Sequence, residues 1–177
     1  MDPKNLLIVA LSLSALALAL ILGFGGRGSD GMTITWLQTG TDLSGVSAVD
    51  REGREVSLAT GEPTLLMVFR SDCAHSEAVA PLWKAWAESP GSDLQALALS
   101  SEPIQSAADY VQDHGWDVRV LEVNTDAQGG LVEALTRRTP WVFLVGGDGV
   151  ILSEGHGSKI EEIARGSMKR PLGGSRP

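Results

Sequence analysis

The sequence predicts an α/β domain, a central mixed sheet flanked by helices, preceded by one N-terminal transmembrane helix. Three observations carry this prediction. Between Thr64 and Gly115, apolar runs of strand length alternate with stretches of helical spacing, the βαβ rhythm of a parallel sheet. From Thr139 to Gly155, two apolar runs flank a Gly-Gly-Asp-Gly turn, as in an antiparallel hairpin. Ahead of both, Leu6 to Leu22 contains no charged side chain.

In that first run the only polar side chains are Ser12 and Ser14, which can bond back to their own helix. With Gly23 and Phe24 the stretch reaches about 28 Å, close to the roughly 30 Å of a bilayer's hydrocarbon core. A cleaved signal peptide competes with this reading, because Gly23-Phe24-Gly25 resembles a small-x-small cleavage site. The run is nevertheless longer than the usual apolar region of about 7 to 15 residues. Lys4 before the segment and Arg27, offset by Asp30, after it leave the charge rule almost neutral on orientation. A short tail ahead of an unbroken apolar run favours a signal anchor over 1–24, with the bulk of the chain outside the cytoplasm. The glycine-rich stretch that follows is a tether by composition, giving a linker over 25–31, a folded domain over 32–168 and a disordered tail over 169–177.

Within the domain, Met32 to Trp36 alternates in the manner of a short strand, and Ala48 to Leu58 reads as a hairpin. In that hairpin Val49 and Val56 flank an Asp50–Arg54 turn centred on Gly53. Thr64 to Phe69 is uninterrupted apolar sequence, expected of a central strand covered on both faces. Val79, Leu82, Trp83 and Trp86 recur at helical spacing, predicting a helix over Ser76 to Ser89. Leu94 to Ser100 is a second buried strand, and Ile104 to Gly115 a helix stopped by glycine. Val118 to Val123 reads as a short edge strand, Ala127 to Arg138 as a short helix weakened by its glycines, and Ile160 to Met168 as a closing helix. No internal repeat is present.

Composition narrows the function classes. With 22 acidic against 14 basic residues and a net charge of −8, the chain lacks the basic excess that nucleic acid demands. One cysteine excludes an internal disulfide and any zinc site built on several thiolates. Asp109, Asp113, Glu161 and Glu162 fall on predicted helix surfaces as solvated charge, with no acid/base pairing among them.

Three signatures occur in order. The strand ending at Phe69 leads into Cys73-Ala74-His75-Ser76 at a helix start, Pro81 follows the cysteine by eight residues, and Thr139-Pro140 precedes the final hairpin. With the Gly53-x-x-Val56-x-Leu58 hairpin ahead of the central strand, they resemble the thioredoxin-like proteins of the membrane-anchored, extracytoplasmic type that serve cytochrome and cofactor maturation. The likeness runs from about Val49 to Ile163, and the accessory proteins of amine dehydrogenase maturation are a narrower relative within that type. It implies a thioredoxin-like fold, with Cys73, His75 and Ser76 as the catalytic positions and Thr139, Pro140 and Trp141 as the client-binding ones. It further implies no metal and no cofactor. The partner would be a cysteine-bearing client or a membrane redox complex, met on the periplasmic side of a bacterial inner membrane. Three positions depart from the pattern: Ser76 replaces the resolving cysteine, Asp72 the usual tryptophan, and Arg138 the glycine before Thr-Pro.

Chemistry leaves several readings of Cys73 open. A thiol at a helix N-terminus is acidified by free N–H groups and the helix dipole, and His75 would add to this if protonated. Asp72 opposes it, since a neighbouring carboxylate disfavours a second negative charge. The thiolate can form a mixed disulfide, but a serine hydroxyl cannot resolve one, although it can hydrogen-bond the sulfur. Ser76 would therefore leave resolution to an external thiol. If the Thr139-Pro140 bond is cis, the Thr139 backbone beside the thiol can pair with an extended client. Trp141 is a client contact or a core aromatic, and Arg137 and Arg138 dock an acidic client, support the thiolate, or form a solvated helix end. The competing functions are a docking module in which Cys73 is only a small apolar filler, and copper binding through Cys73 and His75.

Overall fold

A computed structural model describes residues 36–89, 94–123 and 130–166. The predicted anchor, linker and tail lie outside the described residues, as does all of the predicted Met32–Trp36 strand except Trp36, which is not in a strand. Among the described residues, seven strands form one mixed sheet: β1 (Ser47–Asp50), β2 (Glu55–Ser57), β3 (Thr64–Val68), β4 (Gln95–Ser100), β5 (Arg119–Glu122), β6 (Trp141–Val145) and β7 (Ile151–His156). Their order is β2-β1-β5-β4-β3-β6-β7. Parallel pairing of β3 with β4 and β4 with β5 builds the centre, and antiparallel hairpins close both ends. Helices α1 (Ala74–Ala87), α2 (Ile104–Asp113), α3 (Gly130–Thr136) and α4 (Ile160–Arg165) complete the fold.

The apolar run of β3 follows from its position between β4 and β6 with both faces covered. Leu65, Met67 and Phe69 enter a core with α1, α2 and α4, whereas Leu66 and Val68 enter the opposite core with α3 and Leu43. Neighbouring strands divide the same way: Val142 and Leu144 of β6 join the first core, Phe143 and Val145 the second. Pro81 sits inside α1 on its exposed side, so the carbonyl it leaves without a donor lies on the solvent face of the helix.

One sequence expectation fails. The Val118–Val123 run contains β5, an interior strand paired to β4 on one side and to β1 on the other. The edge belongs to β2, whose burial pattern is correspondingly open. Asp50 supplies the physical reason. Its carboxylate is 2% exposed, yet it accepts from the N–H groups of Glu52 (3.0 Å) and Arg54 (2.9 Å), from Arg54 Nε (2.9 Å), and from Arg119 of β5. These contacts clamp the β1–β2 hairpin onto β5, where Asp50 stands opposite Leu121.

Burial alone would raise the Asp50 pKa, but the hydrogen bonds from Arg119 and Arg54 outweigh it and hold the carboxyl well below its usual range. A depressed folded pKa favours the native state above the unfolded value of about 3.9, and that contribution disappears as pH falls towards the folded value. Asp50→Asn is therefore expected to lower the Tm at neutral pH, with the difference from wild type shrinking below about pH 4. Thermal unfolding followed across pH checks this, and a Tm difference independent of pH would contradict it.

Candidate active site at Cys73

Phe69 prolongs β3 by donating to the Leu99 carbonyl at 3.1 Å, after which the chain turns through Arg70, Ser71 and Asp72. Glu102 holds this turn, accepting from Ser71 N–H and Ser71 Oγ, both at 2.7 Å, and from Ser100 Oγ at 3.2 Å. Cys73 then caps α1 in an extended conformation (φ −96°, ψ 114°), with its carbonyl accepting from Glu77 N–H at 3.1 Å. No side chain caps the helix start, so its first N–H groups face the thiol.

The partly buried thiol donates to the Thr139 carbonyl across 3.6 Å. Burial opposes its ionisation, but hydrogen bonds from Ser76 N–H, the Thr139 side chain, the Ser76 hydroxyl and His75 N–H outweigh it, and the Cys73 pKa is lowered. Asp72 is paired within its own turn, with its oxygens at 3.0 Å from Arg70 Nε and 2.7 Å from Arg70 Nη2. That pairing compensates the charge expected to oppose a thiolate.

The sequence-predicted residues divide by role. Ser76 is buried and accepts from Arg70 N–H at 3.3 Å, so its hydroxyl ties the turn to the helix as well as stabilising the sulfur. His75 is exposed and acts on the thiol through its backbone N–H. The Thr139-Pro140 bond is cis. Pro140 itself is buried and its carbonyl accepts from Gly157 N–H at 3.1 Å, so Thr139 is the part of this loop that meets Cys73. Trp141 is half-buried against the second core, with its indole N–H on Glu154 at 2.7 Å. Arg137 pairs with exposed Glu133 at 3.1 Å, the solvated helix end. The Arg138 guanidinium carbon lies over two indoles, 3.7 Å from the Trp36 ring centroid and 4.7 Å from that of Trp141.

Sequence reasoning missed Glu102, Gly157, Trp36 and Tyr110, each brought to the site by tertiary contacts that no local pattern encodes. Among the described residues the buried Tyr110 hydroxyl has no hydrogen-bond partner; burial first, then the Glu77 charge, pushes its pKa up. Among the described residues no group of three or more His, Cys, Asp and Glu side chains converges to hold a metal ion.

This arrangement defines the class of protein: a thioredoxin-like α/β fold with a single thiol at the head of its first helix. Solved structures of the same architecture include the solution structure of a thioredoxin candidate from Neisseria meningitidis, 25% identical, with a TM-score of 0.55 over 77% of this chain and 95% of that one. A DsbE-type thiol:disulfide interchange protein candidate from Chlorobium tepidum superposes at a TM-score of 0.56 with 17% identity, over 75% of this chain and 96% of that one. The peroxidoxin BcpB of Mycobacterium tuberculosis also gives 0.56, with 15% identity, over 76% and 99%. No protein-family model and no curated protein matches the sequence.

Two measurements follow from the site. The rate of Cys73 alkylation against pH should show an apparent pKa below the value of about 8.5 for a free cysteine, and Ser76→Ala should move it upward by removing one donor to the sulfur. A profile identical to that of a cysteine peptide would contradict the geometry. At Gly157, a Cβ would lie 2.7 Å from Trp83 Cζ2 and 3.0 Å from Pro140 Cβ. Gly157→Ala is expected to cost about 1–3 kcal/mol through overpacking, measured by denaturant unfolding.

Proposed function

We propose that this chain is a membrane-tethered, extracytoplasmic thioredoxin-like protein whose single thiol, Cys73, engages cysteine-containing clients while a redox protein or its cofactor is matured. The observation that carries the reading is the lowered thiol pKa at the open N-terminus of α1, with the Thr139 backbone beside the sulfur. The uncharged run from Leu6 to Leu22 supports the tether, and the interchange-protein name of the Chlorobium tepidum structure supports the chemistry.

In this mechanism the Cys73 thiolate attacks one sulfur of a client disulfide. The client S–S bond breaks, a Cys73–client disulfide forms, and the second client sulfur leaves as a thiolate. The N–H groups of His75 and Ser76 stabilise the attacking charge. Ser76 has no second thiol to displace the client, so the adduct persists until an external thiol attacks it. Monothiol engagement of this kind is capture followed by release on demand.

A second reading, a non-catalytic docking subunit of a membrane complex, draws on the buried Ser76 hydroxyl, which is engaged by Arg70 N–H in a structural role. Incubating the full-length chain with a disulfide-bearing protein separates the two. Wild type should accumulate a dithiothreitol-sensitive adduct and Cys73→Ala none. Ser76→Cys should restore an attacking thiol, so that the adduct is lost and an intramolecular disulfide appears. Equal adduct yield from wild type and Cys73→Ala would leave the docking reading standing alone.

A further inference from the structure

We infer that Arg138 selects the client of Cys73, favouring cysteines flanked by acidic residues; this rests on the thiol reading above. Arg138 immediately precedes Thr139, whose carbonyl contacts the thiol, so its position is fixed relative to any chain that lies along this loop to reach the sulfur. The guanidinium carbon lies over the Trp36 ring, 3.7 Å from its centroid, and over the Trp141 ring at 4.7 Å. Cation–π contact with two rings holds the cation in place while its N–H donors can still meet a carboxylate. Trp36 is 53% exposed, an unusual cost for an indole, and its described ring contact is with this arginine.

The charges around Arg138 leave it available. No carboxylate lies within ion-pair distance of it among the described residues, unlike Arg54, Arg70, Arg119, Arg137 and Arg165, each of which has at least one. Glu154, which lines the same cleft, accepts from the Trp141 indole. Lys159 and Arg165 add two further cations to that cleft, the latter paired with Glu161, and Glu162 adds a carboxylate. Asp72, next to Cys73 in the chain, is paired to Arg70, which offsets its repulsion of an acidic client. An extended client pairing along Thr139 advances about 3.3 Å per residue, which puts side chains flanking its cysteine within reach of a long arginine. The chemistry fits an acidic cysteine peptide in place of a neutral or basic one.

The test uses three synthetic peptides of one length, each carrying a single cysteine as its 2-pyridyl disulfide, flanked by Glu, Gln or Lys. Cys73 thiolate attacks the peptide sulfur, the S–S bond to the pyridyl group breaks, pyridine-2-thiolate departs and takes a proton from water to become 2-thiopyridone, and the peptide remains on Cys73 as a mixed disulfide. Release of the thiopyridone gives the second-order rate constant with the full-length chain. At low ionic strength the Glu peptide should react about fivefold faster than the Gln peptide, the size expected of a partly exposed ion pair, and added salt should reduce the ratio. Arg138→Gln should bring the ratio to one and Arg138→Glu should invert it towards the Lys peptide. Each variant's peptide rates are referred to its own rate with neutral iodoacetamide, which reads the thiol and its fold independently of charge selection.

Equal rates for the Glu and Gln peptides with wild type, or a Glu preference that survives Arg138→Gln, would overturn the assignment of Arg138 while leaving the thiol reading intact. Failure of the folded chain to react with any peptide or with iodoacetamide would overturn both.

Discussion

The site depends on one buried hydrogen bond, from the indole N–H of Trp83 to the Gly157 carbonyl at 2.8 Å. Trp83 is wholly buried in α1, and Gly157 follows β7, so this bond ties the helix that begins at Cys73 to the far edge of the sheet. Gly157 in turn donates to the Pro140 carbonyl, and the loop holding Pro140 presents the Thr139 carbonyl to the thiol. A buried donor left without its partner costs about 1–3 kcal/mol, more than the net gain from a typical hydrogen bond, so the chain of contacts resists loosening at any link. Only glycine fits at its centre, because any Cβ would collide with the indole and the proline.

On that frame the electrostatics of the thiol are local and cumulative. The sulfur is partly buried, which by itself disfavours its charge, and four hydrogen-bond donors reverse the sign. Glu102 anchors the preceding turn through Ser71 and Ser100, and Arg70 neutralises the adjacent acid. The serine at the resolving position then has two tasks at once, bracing the Arg70 N–H and stabilising the sulfur, and neither requires redox chemistry. On the function proposed above, a chain built this way would keep the attack half of thiol-disulfide exchange and leave the release half to another molecule.

Much of the fold was legible before any coordinates. The unbroken apolar run of β3, the helical spacing of Val79, Trp83 and Trp86, and the glycine turn between β6 and β7 each have one economical reading, and each takes that form in the structure. Strand order was less accessible. Nothing in the Val118–Val123 stretch reveals that a hairpin some sixty residues earlier will add to it, because that pairing is made by Asp50 reaching Arg119. The sequence reading placed Asp50 in a turn, where acids are common, while its burial is a property of the assembled sheet.

Periodicity and spacing by themselves determined the α/β class, and composition the single thiol, since these depend on residues close together in the chain; the resemblance added that Cys73 stands at a helix start with Ser76 where a resolving cysteine would be. Tertiary structure alone decided which way the thiol's acidity moves, that Pro140 is buried while Thr139 meets the sulfur, and that Arg138 contacts both Trp36 and Trp141. The physical reason is range. Helical and strand patterns are written within a few residues, whereas hydrogen bonds to a partly buried sulfur and the contact of one cation with two rings depend on side chains that only folding brings together.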